Sequence, residues 1–292
     1  MSTLTQFYGA SAANLIPVEL LIVGGGGPGS SVGPGASAIT EGRGGAGGGS
    51  GRLIFSSTTV SKSLAYTITI GAGGAASTGG ASPGNSSFFG LIESNGGAIP
   101  FQSIVTRPSL GGSLGGNGNT TGTAGYQLNV VTTPVPVFMQ INSADNFYYS
   151  LASVGGFRAV NNVSGGAGGG GAGGWGFALT TGGGSGGGSG FAVSTVGSSV
   201  FYASGGDART GTVGTASGVA GTANTGNGGS SASILASPPL DTYLGGNGGS
   251  GVVIIAYRDT YPAPTSITGT YDQPTRTGYR VYRFTGSGSI TF

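Results

Sequence analysis

Glycine decides what this chain can become. It supplies 68 of 292 residues, about three times its average usage of ~7%. It is gathered in six tracts, at 24–51, 71–84, 111–125, 165–190, 205–229 and 245–251. Glycine loses more conformational freedom on ordering than any other residue, so an ordered tract needs an offsetting interaction. Two readings are open. Tracts of this composition act as flexible linkers. Alternatively they pack side by side as polyglycine II helices, with three residues per turn, a rise of about 3.1 Å and no internal hydrogen bonds. Without Cβ atoms such helices approach closely enough for N–H and C=O groups to pair laterally, with weak Cα–H···O contacts added. A linker role calls for one tract between domains, whereas here six tracts alternate with strand-like runs. The tracts keep no strict Gly-X-Y phase, which excludes collagen. GGAGGGSG at 44–51 and GGAGGGGAGG at 165–174 have the density that a glycine lattice needs.

The runs between the tracts read as strands. VELLIV at 18–23 is apolar and stops at Gly24, and LIFSSTTV at 53–60 is rich in β-branched residues. YTITI at 66–70 alternates with period two, with Tyr66, Ile68 and Ile70 on one face. SFFGLI at 87–92 is a further candidate strand, and VVIIAY at 252–257 is continuously apolar, as a buried strand is. YRVYRF at 279–284 alternates, and GSITF at 288–292 follows it across a short turn, so the two predict a hairpin. No amphipathic stretch long enough for a helix competes with these. The segment 126–163 differs in being poor in glycine and rich in aromatics, and it predicts an insertion of two or three strands with loops.

Charge and missing residue types narrow the function. Ten basic and eight acidic side chains give a net charge of +2. The basic residues are isolated, so the clustered cations that neutralise nucleic-acid phosphates are absent. There is no cysteine and no histidine. That removes disulfides, thiolate metal sites, the commonest general base and the usual triad member. The opening MSTLTQFYGASAANLIPVELLIV has no basic n-region, and Asn14, Pro17 and Glu19 interrupt its apolar runs. Neither a signal peptide nor a membrane span is expected there. GxGxxG patterns arise here from composition alone, and GGGGPGSS at 24–31 lacks the lysine of a P-loop. The eight carboxylates are scattered, so a glycosidase pair would have to be assembled by the fold. Asn162-Val163-Ser164 fits a glycosylation acceptor but has no secretion signal to give it meaning. The chain is expected not to be an enzyme and to need neither cofactor nor metal.

The order of several motifs carries a resemblance. VELLIVGGGG (18–27), YTITIGAGG (66–74), GNSSFFGLIESNGG (84–97), GTANTGNGG (221–229) and GGNGGSGVVIIAYRD (245–259) follow one another as in the glycine-rich domain widespread in phage tail-fibre and virion proteins. The resemblance covers about two thirds of the chain. It implies an all-β fold with almost no α-helix: a jelly-roll sandwich of the tumour-necrosis-factor-like kind with inserted polyglycine II helices. In relatives a segment like YRVYRFTGSGSITF precedes the VELLIV strand; here it stands at 279–292, so the domain resembles a circularly permuted version.

The resemblance implies a division into a virion-attachment segment at 1–17, a glycine-rich β-sandwich domain at 18–259 with its insertion at 126–163, an extended arm at 260–278 and a C-terminal β-hairpin at 279–292. It implies a structural virion protein, a tail-fibre or adhesin subunit contributing to host attachment. The alternatives are a head-fibre or decoration protein without a receptor role and a glycan-cleaving tail spike. Leu4, Phe7 and Tyr8 are the candidate apolar anchors for docking on other virion or tail proteins. Phe147, Tyr148, Tyr149 and Phe157 are the candidate contacts for a host cell-surface glycan or outer-membrane protein, because aromatic faces suit sugars and proteins alike. Trp175, the only tryptophan, is expected to plug against the lattice or the sandwich. A homotrimer assembled in the host cytoplasm, without nucleic acid or membrane insertion, completes the expectation.

Overall fold

The computed structural model of the chain describes residues 14–32, 43–77, 81–100, 148–151, 166–177, 184–209, 215–234 and 241–292. In chain order the strands are β1 (Leu15–Val23), β2 (Arg43–Gly44), β3 (Leu53–Ser61), β4 (Ala65–Thr69) and β5 (Ser87–Phe89). They continue with β6 (Ile92–Ser94), β7 (Tyr148–Leu151), β8 (Phe191–Val193), β9 (Val200–Tyr202) and β10 (Ser233–Ile234). The last five are β11 (Val252–Arg258), β12 (Ser266–Thr268), β13 (Tyr271–Asp272), β14 (Tyr279–Phe284) and β15 (Gly288–Thr291). There is no α-helix among the described residues. Two antiparallel sheets dominate: a six-stranded one in the order β13-β14-β11-β1-β3-β7 and a five-stranded one in the order β12-β15-β4-β5-β6. Two two-stranded sheets, β10-β2 and β8-β9, accompany them. The all-β expectation holds.

The sequence of β1 explains why the six-stranded sheet is covered on both faces. Successive side chains of a strand point to opposite sides. Ile16, Val18, Leu20 and Ile22 enter one core, together with Val253, Ile255, Tyr257, Tyr282 and Phe284 of the same sheet and Ile68, Phe89 and Ile290 of the five-stranded sheet. Leu21 and Val23 enter a second core with Leu53, Ile254, Ala256 and Val281, closed by Val193 and Tyr202 of the β8-β9 pair and by Ala172 and Ala203. A strand buried on both sides has no polar alternation, hence the continuous apolar runs of β1 and β11. Burial of each such Ile or Leu side chain contributes about 1.5–3 kcal/mol. β1 begins at Leu15, three residues before the apolar run at 18–23, because Ile16 already points into the first core and Leu15–Pro17 pair with Thr59–Ser61.

Two expectations are corrected. SFFGLI is two strands, β5 and β6, paired Phe89↔Ile92 around Gly90 and Leu91. Gly90 takes φ of +56°, the left-handed conformation that lets the chain reverse there. The segments at 279–284 and 288–292 are not paired with each other. β14 pairs with β11 in the six-stranded sheet, whereas β15 pairs with β4 in the five-stranded sheet. Their other partners are the two short strands of the segment expected to be a plain arm: β13 pairs with β14, and β12 with β15. Residues 266–291 are therefore one antiparallel ribbon, bent where Gly269 takes φ of +94° and where the Thr285 and Gly286 amides donate to Thr270 O. The ribbon runs round a corner and supplies strands to both sheets. β14 consequently lies beside β11, one strand removed from β1.

Candidate functional site

The glycine tracts form extended rows bonded laterally to one another. In the row 24–32, Gly24, Gly27 and Ser30 donate to Arg52, Gly49 and Ala46, at 2.7–3.0 Å. Gly26, Gly29 and Val32 donate to Gly249, Gly246 and Tyr243, at 2.8–2.9 Å. Gly25, between the two sets, donates to Asn85 at 2.9 Å. Each third residue thus addresses the same neighbour, and three consecutive residues address three neighbours. The row 45–52 repeats the rule. Gly45, Gly48 and Gly51 donate to Ala232, Gly229 and Gly226; Gly47 and Ser50 to Ala167 and Gly170; Gly49 and Arg52 to Ala98 and Asn95. A two-residue strand period cannot produce this pattern; a three-residue backbone period does.

The close approach of the rows explains the residue type. A Cβ on Gly26 would lie 2.0 Å from Asn227 O, on Gly47 1.8 Å from Gly206 O, and on Gly73 1.9 Å from Gly248 O. Where a side chain is present inside the rows it is small and closes bonds. The Ser30 hydroxyl accepts from Ala46 N, and the Ser185 hydroxyl accepts from Gly168 N and donates to Gly166 O. The lateral bonds supply the offset that ordered glycine needs.

Among the described residues the rows border a groove of about 740 Å³, lined by residues such as Gly184, Asp207 and Arg209 on one flank and Ala220 and Thr222 on the other, with Gly228 between them. Asp207 Oδ1 accepts from Gly187 N at 2.8 Å, and Asn227 Oδ1 accepts from Ser204 N at 2.9 Å, which fixes the near wall. The Ser230 hydroxyl accepts from Val219 N at 2.7 Å and fixes the far one. Around the rows stand exposed aromatics: Phe177 (64%), Phe201 (61%) and Trp175 (39%). Phe177 donates its amide to Gly186 O, and its ring lies 3.4 Å from where a Gly186 Cβ would be, so it stands behind the groove wall. Trp175 is more open than the expected plug.

A second polar cluster locks the tip of the corner ribbon. Arg276 donates through both terminal nitrogens to Glu19, at 2.6 and 2.9 Å, with its guanidinium 3.7 Å from the centre of the Tyr279 ring. The hydrogen bond to Glu19 pushes the Arg276 pKa above its usual value, so the guanidinium stays charged. Arg283 is likewise paired with Asp272 across β14 and β13. These are structural ion pairs, and among the described residues no group of three or more His, Cys, Asp or Glu is placed to hold a metal ion.

Of the residues singled out from sequence, Leu4, Phe7, Tyr8, Phe147 and Phe157 lie outside the described residues. Tyr148 and Tyr149 fall in β7, the outer strand of the six-stranded sheet, paired with Ser56 and Phe55. The structure therefore brings two of the four receptor candidates onto one sheet edge. Sequence reasoning missed the β8-β9 hairpin and its outward Phe201, although the apolar FAV and VFY runs flanking STVGSS carried a hairpin signal in the short stretch between the glycine tracts at 165–190 and 205–229.

The fold and rows define a class: an all-β protein in which a two-sided sheet carries a bonded array of glycine rows. The chain belongs to the glycine-rich domain family, whose model matches residues 4–258. No match was found among curated proteins or solved structures.

Proposed function

We propose that this chain is a structural virion protein, a subunit of a phage tail fibre or adhesin that contributes to host attachment. The observation that carries the reading is the glycine array itself. Its backbones are bonded in several directions with no room for a Cβ between them, which makes a stiff mount suited to holding a sheet edge and loops against a host surface. Membership of the glycine-rich domain family and the motif order shared with tail-fibre proteins support it. Within this reading the rows are polyglycine II helices, supported by the three-residue period of their donors. The two facing sheets are the jelly-roll sandwich, and its permuted order is supported by β14 lying one strand from β1. The segment at 1–17, whose last three residues open β1, docks on a neighbouring virion protein through Leu4, Phe7 and Tyr8, the partner at the far end is a cell-surface glycan or outer-membrane protein, and the working unit is a homotrimer.

Electron microscopy of particles labelled with antibody to this chain tests the assignment. Label on the tail supports it, and label confined to the head or absent from the particle overturns it. On tail-labelled particles, Tyr148→Ala with Tyr149→Ala is expected to slow host adsorption while leaving the protein folded. Unchanged adsorption removes β7 as the receptor contact. Sedimentation of the soluble chain tests the trimer, and a stable monomer at micromolar concentration refutes it.

A further inference from the structure

The tripeptide Asn-Gly-Gly occurs at 95–97, 227–229 and 247–249. Asparagine before glycine is a chemically weak linkage in an unfolded chain. The following amide nitrogen can attack the side-chain carbonyl, and a residue without Cβ leaves that approach open. The shared sequence gives the three sites nearly equal intrinsic reactivity, so a difference between them comes from the fold. Two are held at both reacting groups. Gly228 N donates to Ser204 O at 2.8 Å while Asn227 Oδ1 accepts from Ser204 N at 2.9 Å, so the pair brackets one residue of a neighbouring row. Gly248 N donates to Gly74 O at 2.9 Å while Asn247 Oδ1 accepts from Ala76 N at 2.9 Å. In both, nucleophile and electrophile are committed to backbone partners. At Asn95 neither is. The Gly96 amide donates to nothing among the described residues. The Asn95 side chain is held only by other side chains: Oδ1 accepts from Arg52 Nη1 at 3.3 Å, and Nδ2 donates to Glu93 Oε1 at 3.4 Å. A guanidinium only donates and a carboxylate only accepts, so the orientation of this amide is fixed. Asn95 and Gly96 are both partly exposed, so water reaches them.

We propose that Asn95–Gly96 is a self-modification site, at which the chain converts Asn95 to aspartate and isoaspartate through a succinimide, while the array preserves Asn227 and Asn247. Gly96 N gives its proton to water and forms a bond to Asn95 Cγ. The oxyanion that develops on Oδ1 faces the Arg52 guanidinium, a donor of the kind that stabilises developing negative charge. The Cγ–Nδ2 bond then breaks, and Nδ2 takes a proton from water and leaves as ammonia. A water molecule opens the imide at either carbonyl, so one water is consumed and one ammonia released. Isoaspartate adds a methylene to the main chain where β6 passes into its row. There the Asn95 carbonyl accepts from Arg52 N at 2.9 Å and would lie 2.1 Å from a Cβ on Gly24, so a lengthened chain no longer fits. The proposal rests on the bonding of the three sites and not on the virion reading.

The folded full chain, kept at mildly alkaline pH, tests this by site-resolved peptide mass spectrometry combined with enzymatic methylation of isoaspartate. Asn95 is expected to be converted about tenfold or more faster than Asn227 and Asn247, because two backbone hydrogen bonds must break before either of those can react. In urea the three rates are expected to converge. Arg52→Gln is expected to slow conversion at Asn95 severalfold and to leave Asn227 and Asn247 as they are. A rate at Asn95 no higher than at the other two sites of the folded chain overturns the proposal. So does a preference for Asn95 that survives unfolding, which would place its cause in the sequence. An unchanged rate at Asn95 in Arg52→Gln, with the melting transition in place, overturns the part given to the guanidinium.

Discussion

At Gly26 and Gly174 the same residue type does two different jobs. A methyl group on Gly26 would overlap the Asn227 carbonyl, with 2.0 Å between centres, and both backbones are held by bonds to third rows. On Gly174 its nearest neighbour would be 3.6 Å away. Gly26→Ala is expected to destabilise the chain by about 3 kcal/mol or more, the upper range for overpacking. Gly174→Ala is expected to be neutral or to stabilise by about 0.4–1 kcal/mol through the unfolded state. Denaturant titration of the two variants checks the contrast, and equal effects would show that the rows do not constrain the residue. Tyr257 and Tyr202 set the response to alkali. Burial pushes both hydroxyls above the ordinary tyrosine value of about 10, Tyr257 the further. A raised folded-state value means stability that is intact below the unfolded value and is lost as pH climbs above it. The chain should hold constant stability to about pH 10 and then weaken, with tyrosine ionisation and loss of near-ultraviolet dichroism arriving together. Tyr257→Phe should make that alkaline decline shallower.

At the scale of elements the corner ribbon deserves the sharpest test. Ile290 and Phe292 are buried, Phe292 lies 5.5 Å ring to ring from Tyr257, and β15 separates β12 from β4. Removing 285–292 would strip the bonded edge from β4 and open the first core. The expected outcome is an aggregating protein, since unpaired edges recruit other chains; a soluble truncated chain with an unchanged melting transition would show that β15 is dispensable. The ribbon also shows where sequence stops being informative. β1, β3, β4 and β11 were legible because their side-chain pattern states their burial locally. The pairing of β14 and β15 was not, because a turn of three residues between two alternating runs looks the same whether the runs face each other or bend round a corner. The deciding partners, Val253–Arg258 and Ala65–Ile68, lie far away in sequence. The glycine rows were legible in type, because density and interleaving implied lateral bonding. The groove was not, since it depends on which rows become neighbours.

At the scale of the whole molecule, the rows and the sheets share cores, so they should unfold together. Ala172 and Ala203 pack with Leu21 and Val252, and the Gly24 amide bonds directly below the end of β1. Hydrogen exchange gives the test. Amides of Gly24, Gly27, Gly48, Gly229 and Gly249 are expected to be protected to the same degree as those of β1 and β11, whereas a linker would exchange at the rate of an unfolded chain. Fast exchange in the rows alongside slow exchange in the strands would divide the molecule into two cooperative units. The pairing of Val23 with Val252 has a further consequence, for synthesis. On a ribosome adding ~5–20 residues per second, roughly 10–45 s separate the emergence of the two partners. Until β11 arrives, β1 has an open flank, row 24–32 lacks its partner 243–251, and neither core can close. The nascent chain must wait with both cores open, and a chain so rich in glycine, serine and threonine is suited to wait in the cell without sticking to its neighbours.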